Sequence, residues 1–188
     1  MFFHNKIKLA MLISCIFISA SAHDVLLEVK GAAFVPTSEL FKNIYGTCGD
    51  FGVELTAGEL FKNLYSFGSI DFYLKDGITS ELESTTRVTM LNFALGLKYF
   101  VPFHQGDFYI GLGVEPSRMT TQDENSLTLQ DVQWGCGGIA KVGVLVDLPH
   151  SLFTDIFFNY SFVNFNGTEQ STPVNGCLFG IGFGYRFN

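Results

Sequence analysis

Charged side chains recur inside segments that are otherwise strongly apolar, and they are the residues best placed to do chemistry. In each segment they occupy one parity of an alternating pattern, so in a β-strand they would share a face. Charges on such a face must pair or bind an ion, because an unpaired charge away from water is costly. The set of five acids and four bases predicts a salt-bridge network: Glu28, Lys30, Glu54, Asp71, Lys98, Glu115, Lys141, Asp155 and Arg186.

Residues suited to catalysis or metal binding are few and scattered. The histidines are His4, His23, His104 and His150. None stands in a nucleophile motif with Ser or Cys, and no pair has ligand spacing with the cysteines. We therefore predict that the protein is not an enzyme and uses no cofactor and no metal.

The elements that carry these charges are clearest in residues 176–187. There Phe179, Ile181 and Phe183 alternate with Gly180 and Gly182, which predicts a strand with one aromatic face and one nearly bare face. A soluble core is hard to fill against a wall of glycine. In a transmembrane barrel, by contrast, large residues meet lipid and small or polar residues fill a narrow lumen.

Eight such segments are predicted, at about 24–35, 51–58, 61–74, 87–100, 108–115, 129–148, 155–162 and 176–187. Their connections alternate between long and short, and a helical turn is expected at about 38–42. With both chain ends in the periplasm, every long connection would lie outside. The predicted fold is all-β: an eight-stranded antiparallel up-and-down transmembrane β-barrel with short periplasmic turns and longer extracellular loops. The loops would be centred on Lys42, Ser80, Gln122 and Gly167.

A soluble lipocalin-like barrel also has eight antiparallel strands and is the alternative. It would place polar residues outside and bulky apolar residues inside, around a ligand. Segments 87–100 and 176–187 suit the reverse arrangement. A content of 21 Phe and 20 Gly with only 15% charged residues also favours membrane strands.

The chain resembles the small eight-stranded outer-membrane barrels of Gram-negative bacteria, the class that contains the transmembrane domain of outer membrane protein A. Its last strand is similar to the terminal signal of that class, and Gly182, Tyr185 and Phe187 are the matching positions. Here Asn188 follows the final aromatic, and Gly180 stands where the class has a polar residue. The resemblance implies recognition by the barrel assembly machinery and insertion into outer-membrane lipid.

The N-terminus has the pattern of a targeting segment. Lys6 and Lys8 precede an apolar run at 9–18, and Ala20-Ser21-Ala22 forms a small-residue cleavage site. We predict a cleavable signal peptide at 1–22, a single barrel domain at 23–188 and an outer-membrane location. A lipoprotein box ending at Cys15 is the alternative for this end.

Net charge limits the partners. The formal charge is -7, and loss of the two signal lysines would leave 9 basic against 18 acidic residues. This acidic balance argues against nucleic acid, whose phosphates require a basic surface.

Strand order predicts specific contacts among the charges. Arg186 would pair with Glu28 because the last strand closes on the first, and Lys141 would pair with Asp155 on the neighbouring strand. In the alternative, carboxylates would line an ion path. We favour a plug, because eight strands enclose room for side chains and little else. The path would use Glu28, Glu54, Asp71 and Glu115.

Three cysteines lie in the predicted barrel domain, at Cys48, Cys136 and Cys177. An exported protein meets an oxidising compartment, which favours a bridge. Strand seven would separate Cys136 from Cys177, so Cys48 with Cys177 is the expected disulfide. Three separate thiols are the alternative.

These features predict a monomeric barrel with a structural or surface role: membrane integrity, adhesion, or binding of an unknown extracellular partner through its loops. A secreted ligand-binding barrel and a small ion-conducting pore are the alternatives.

Overall fold

The computed structural model describes residues 25–79, 84–123, 130–166 and 171–187. The predicted signal peptide with Cys15, and the loop centres Ser80 and Gly167, lie outside these ranges. Eight strands, each antiparallel to its neighbours in sequence, close into a barrel when the last pairs with the first. They are β1 Val25–Pro36, β2 Cys48–Phe61, β3 Leu64–Thr79, β4 Ser84–Phe103, β5 Gly106–Asp123, β6 Gln130–Asp147, β7 Leu152–Asn166 and β8 Ser171–Phe187. The predicted fold is confirmed.

A single short helix, α1, is present in the described ranges and covers Glu39–Tyr45 between β1 and β2. It lies where a helical turn was expected but runs farther toward the C-terminus. Within the same ranges, no helix is long and apolar enough to cross a bilayer.

The two ends of the barrel differ. At the short-turn end, β2 joins β3, β4 joins β5 and β6 joins β7 through residues 62–63, 104–105 and 148–151. At the opposite, long-hairpin end, β3 to β6 rise well above their neighbours. Strand β4 has 20 residues, although about 9–11 suffice to cross a membrane.

The strand boundaries at the long-hairpin end differ from the predicted ones, because β3 to β6 extend into residues that were expected to be loop. Strand pairing continues through residues expected to be loop, for example from Lys75 with Val88 to Thr79 with Ser84. The β5–β6 ladder likewise reaches Gln122 with Gln130. Polar residues there erase the alternation that marks a strand in lipid, whereas the backbone hydrogen bonds do not depend on it.

The exterior is apolar. Phe61, Leu112 and Phe51 are 75%, 72% and 70% exposed, and Val29, Ile110, Ile156 and Phe183 lie on the same outer face. This is the reverse of a soluble ligand carrier, so the lipocalin-like alternative is wrong. Outward-facing aromatic side chains lie toward both ends of the wall, namely Tyr99, Tyr185 and Phe187 near the short-turn end and Trp134 near the long-hairpin end.

The bare face of β8 is filled by side chains from the adjacent strands. A Cβ on Gly180 would lie 2.5 Å from the Phe157 ring. On Gly182 it would overlap the Glu28 carboxylate, and on Gly184 the Phe153 ring. The lumen therefore requires glycine at these positions to admit larger groups from β1 and β7.

The interior is layered, and β1 shows the order directly. From the short-turn end inward, Leu26 lies in an apolar layer, Glu28 and Lys30 in an ionic layer, and Phe34 in a second apolar layer. The lower apolar cluster consists of Leu26, Phe100, Tyr109, Leu145, Phe153 and Phe157. The upper apolar cluster consists of Phe34, Phe41, Cys48, Tyr73, Val88, Met90, Met119, Val163, Phe165, Val174 and Leu178.

Replacement of Gly184 by alanine should destabilise the barrel by about 1–3 kcal/mol, because the new methyl group overlaps the Phe153 ring and the Leu27 carbonyl. The measurement is urea unfolding in lipid vesicles, followed by the fluorescence of Trp134, the only tryptophan.

The matched control is Gly49→Ala, whose Cβ would lie 3.9 Å from the Phe51 ring. We expect it to change stability by less than about 0.5 kcal/mol. Equal effects of the two substitutions would contradict the assignment of the bare face to the lumen.

Candidate functional site

The lumen charges lie in one layer because their strands present alternate residues to the interior. Eight of the nine predicted residues are buried there, with relative exposures of 7% or less; they are Glu28, Lys30, Glu54, Asp71, Lys98, Glu115, Lys141 and Asp155. Arg186 lies instead at the short-turn mouth, where its side chain is 28% exposed.

Glu54 is the centre of this layer. Its Oε2 atom accepts hydrogen bonds from Lys30 Nζ at 2.9 Å and from Lys141 Nζ at 2.6 Å, and its Oε1 atom accepts one from Lys98 Nζ. One carboxylate on β2 is thereby tied to lysines on β1, β4 and β6. The Lys30 salt bridge joins the neighbouring strands β1 and β2, whereas those of Lys98 and Lys141 cross the lumen and connect β2 to strands that are not its neighbours in the wall.

Aromatic rings complete the surroundings of the lysines. Lys98 Nζ lies 4.2 Å from the centre of the Tyr109 ring, and Lys141 Nζ lies 4.4 Å from that of Phe67. Both distances are typical of cation–π contacts. The ammonium groups are therefore held by a carboxylate on one side and a ring face on another.

The other carboxylates have weaker sets of partners. Asp71 lies 3.4 Å from Lys30 and accepts a hydrogen bond from the Ser69 hydroxyl at 2.9 Å. Glu115 accepts one from Ser161 at 2.7 Å, and Asp155 one from Tyr109 at 2.8 Å.

Asp50 is a further buried carboxylate that the sequence analysis missed. It is 2% exposed, and its Oδ1 atom has no hydrogen-bond partner. The prediction placed it at the end of a loop, but it shares the parity of Glu54 within β2. Extending the alternation of β2 by one step would have found it.

The expected Arg186–Glu28 pair is wrong. Arg186 pairs in the β1–β8 ladder with Leu26, while Glu28 lies opposite Gly184. The guanidinium therefore points to the short-turn mouth, where Nη2 lies 2.9 Å from Asp107 and 3.3 Å from Asp147.

The expected Lys141–Asp155 pair is also wrong. Lys141 lies opposite Asn159 on β7, and Asp155 lies opposite Leu145. Four residues along a strand separate the two groups by about 13 Å. The ammonium of Lys141 instead reaches across the lumen to Glu54.

The expected disulfide between Cys48 and Cys177 is absent, and the three cysteines in the described ranges are free thiols. Strand β1 lies between the two positions, since Phe34 pairs with Cys48 and Val35 with Cys177. Two strand spacings put their Cα atoms about 10 Å apart, beyond the reach of a disulfide. Cys48 also lies in the upper apolar cluster, whereas Cys177 lies on the outward-facing parity of β8.

The three positions of the proposed assembly signal lie on opposite faces of β8. Tyr185 and Phe187 face outward, with ring centres 4.7 Å apart. Gly182 faces the lumen between Lys30 and Asp155.

Apolar layers close the ionic layer at both ends. At the long-hairpin end, Phe41 of α1 is 3% exposed and packs edge-on against Phe34. An interior cavity beside Asn92 and Ser161 has a volume of about 10 Å³, which is at the lower limit for one water molecule. The arrangement can hold charge firmly but offers little space for a solute.

In the described part of the chain, no group of three or more His, Cys, Asp or Glu side chains could hold a metal ion.

Several solved structures share this fold. Outer membrane protein OprG from Pseudomonas aeruginosa is 17% identical over 90% of this chain and 98% of that one, with a TM-score of 0.61. Neisserial surface protein A is 13% identical over 87% and 97%, with a TM-score of 0.58. Ail, the attachment invasion locus protein of Yersinia pestis, is 12% identical over 88% and 99%, with a TM-score of 0.55. No family model and no curated protein sequence matches the chain.

Replacement of Glu54 by alanine should destabilise the barrel by about 3–5 kcal/mol, because it leaves buried ammonium groups without their carboxylate. Urea unfolding followed by Trp134 fluorescence measures the change.

The control is Asp76→Asn at the long-hairpin end. There the Arg87 guanidinium donates a hydrogen bond to Asp76 at 2.7 Å and lowers the pKa of that carboxyl, but both side chains are exposed. Water screens such a pair, so the unfolding midpoint should stay unchanged. A Glu54→Ala barrel as stable as this control would show that the lumen salt bridges do not hold the wall together.

Proposed function

We propose that this chain, whose fold is that of the small eight-stranded outer-membrane barrels, is a monomeric integral outer-membrane protein with a structural and surface role. Its lumen is plugged by salt bridges and conducts no ions, and it catalyses no reaction. Its long-hairpin end faces the outside and makes the contacts with partners.

The observation that carries the proposal is the inversion of polarity across the wall. Outside, bulky apolar side chains such as Phe51 and Leu112 are exposed, as lipid contact requires. Inside, Glu54 and its three lysines are buried between two apolar clusters. The wall is suited to a bilayer, and the closed lumen leaves the ends of the barrel for function.

The proposed orientation rests on the lengths of the connections. Short turns face the periplasm in bacterial outer-membrane barrels, and longer connections face outward. The names of two structural relatives, a surface protein and an attachment invasion locus protein, support a surface role for this chain. Insertion would use the barrel assembly machinery, with Gly182, Tyr185 and Phe187 as its signal.

The long-hairpin end presents a raised sheet, which we define as residues 75–79, 84–90, 117–123 and 130–134. The β2–β3 ladder stops at Gly49 with Leu74, and the β6–β7 ladder starts at Gly135 with Phe165. Above these pairs β3 to β6 continue together, so the sheet has an edge on each side. Helix α1 lies against the β3 side, where Tyr45 packs over Gly77. The β6 edge is the better surface for a partner's extended segment.

Shortening the raised sheet should abolish surface binding without unfolding the barrel. In the variant, an Asn-Gly turn replaces residues 120–132 and joins Met119 to Gln133, which are opposite each other in the ladder. Bacteria that produce this variant should attach to cultured epithelial cells no better than bacteria that lack the protein, and bacteria with the complete chain should attach more.

Two controls accompany this test. The first concerns folding: the complete chain and the shortened variant should both resist unboiled SDS, as folded membrane barrels do. The second concerns orientation: a cysteine-free form carrying Asp76→Cys should be labelled on intact cells by an impermeant thiol reagent. The same form with Leu148→Cys, at the short-turn end, should not be labelled. Labelling of Leu148→Cys alone would reverse the proposed orientation, and equal attachment of both strains would contradict a binding role for the raised sheet.

The purified barrel should show no steady ion conductance in a planar bilayer, because the upper and lower apolar clusters close the ionic layer. A porin reconstituted in the same bilayer serves as the positive control. Steady cation-selective currents that fall when Glu115 is replaced by glutamine would instead favour the ion path.

A further inference from the structure

The lumen contains more carboxyl groups than cations. Among the described residues, the buried set comprises the three lysines Lys30, Lys98 and Lys141 and six acids. The acids are Glu28, Asp50, Glu54, Asp71, Glu115 and Asp155. Three negative charges would remain if every group were ionised. An excess of this size away from water requires bound cations, and protons are the smallest of these.

Glu28 and Asp155 show where one such cation would bind. Asp155 lies opposite Gly182 in the β7–β8 ladder. The Glu28 carboxylate leans over the same glycine from β1, in the space that a side chain there would fill. The two carboxyl groups therefore converge on Gly182, Glu28 from β1 and Asp155 from β7.

If both members of this pair were carboxylates, their hydrogen bonding would be incomplete. Glu28 is 4% exposed and Asp155 is 1% exposed, and the Oε1 atom of one and the Oδ1 atom of the other have no partner. The Asp155 Oδ2 atom accepts the Tyr109 hydroxyl. Two carboxylates accept hydrogen bonds but donate none, so a contact between them needs a proton or another cation.

We propose that Glu28 and Asp155 form a proton-binding site in which one proton is shared between a Glu28 oxygen and an Asp155 oxygen. The proton comes from solvent and is taken up when the barrel folds. One member of the pair is then a carboxylic acid that donates to the other, which stays a carboxylate, and the pair carries one negative charge instead of two.

The groups around the pair are consistent with one negative charge on it instead of two. Lys30 is bound to Glu54 and Asp71, and Lys98 and Lys141 are both bound to Glu54, so the salt bridges of the three lysines go to carboxylates outside the pair. Gly182 and Gly184 bring no side chain from β8. The charged and titratable groups that interact with the pair are Lys30 from β1, Glu54 from β2, Lys98 from β4 and Tyr109 from β5. Farther away, Tyr65 of β3 packs against the lower apolar cluster, and Lys141 of β6 is bound to Glu54.

The site couples folding to pH. Free carboxyl groups in the unfolded chain are ionised at neutral pH, so the folded state holds one proton more than the unfolded state. Stability falls with rising pH when the folded state binds more protons. Each extra proton lowers the folding equilibrium constant about tenfold per pH unit.

The test compares the pH dependence of urea unfolding, from about pH 6 to about pH 8, in the complete barrel and in Glu28→Gln. Glutamine donates an N–H to Asp155 without a proton from solvent. The folding equilibrium constant of the variant should therefore fall less steeply with rising pH than that of the complete barrel, by about tenfold per pH unit. Asp155→Asn should do the same, which keeps the test available if one variant does not fold. The control, Asp147→Asn at the exposed short-turn mouth, should keep the slope of the unchanged barrel.

A second readout does not depend on unfolding. The infrared carbonyl band of a protonated carboxylic acid should be present in the folded barrel at neutral pH and weaken in Glu28→Gln and Asp155→Asn, but not in Asp147→Asn. Unchanged slopes and an unchanged band in both dyad variants would overturn the shared proton. A slope that depends on sodium or potassium, and vanishes when a bulky organic cation replaces them, would overturn it in favour of a bound metal cation.

Discussion

Compensation of the Glu54 charge is the constraint on which the rest of this barrel depends. A carboxylate buried to 2% exposure is tolerable only if cations reach it, and three lysines do so from three separate strands. Their aliphatic stems and ammonium groups occupy the middle of the lumen. The backbone ladder joins neighbouring strands, whereas this cluster joins opposite sides of the wall, so it limits how far the barrel can flatten or open.

The same constraint explains the composition of the wall. Large groups placed inside require bare positions opposite them, and β8 supplies these through Gly180, Gly182 and Gly184. The strand can give up its inner side chains because its outer ones bury their apolar surface in lipid. Between residues 179 and 185 of β8, outward Phe179, Phe183 and Tyr185 alternate with inward glycines that make room for neighbouring side chains, so aromatic residues and glycine occur together in this strand.

Alternation along single strands was enough to predict the fold, the closed order of eight strands and the inward position of eight charges. The partners of those charges could not be predicted in the same way. Lys141 reaches Glu54 across the lumen, and Arg186 is displaced from Glu28 by two positions of strand register. Contacts of this kind depend on stagger and on long flexible side chains, which a pattern along one strand does not contain. The upper part of the raised sheet was missed because most of its residues are polar, whereas Val88, Met90 and Met119 at its base face the upper apolar cluster.

In the proposed role, function is concentrated at the ends of the barrel. The ionic layer lies between apolar clusters, and α1 places Phe41 over the outer one, so a solute entering from outside would have to displace packed rings and then break salt bridges. The raised sheet is open at both sides, because the β2–β3 ladder stops at Leu74 and the β6–β7 ladder starts at Gly135, both below the raised sheet. The charge cluster and the open sheet edges are thus complementary. The cluster keeps the wall in one shape, and the wall in turn holds the raised sheet at a constant height above the membrane.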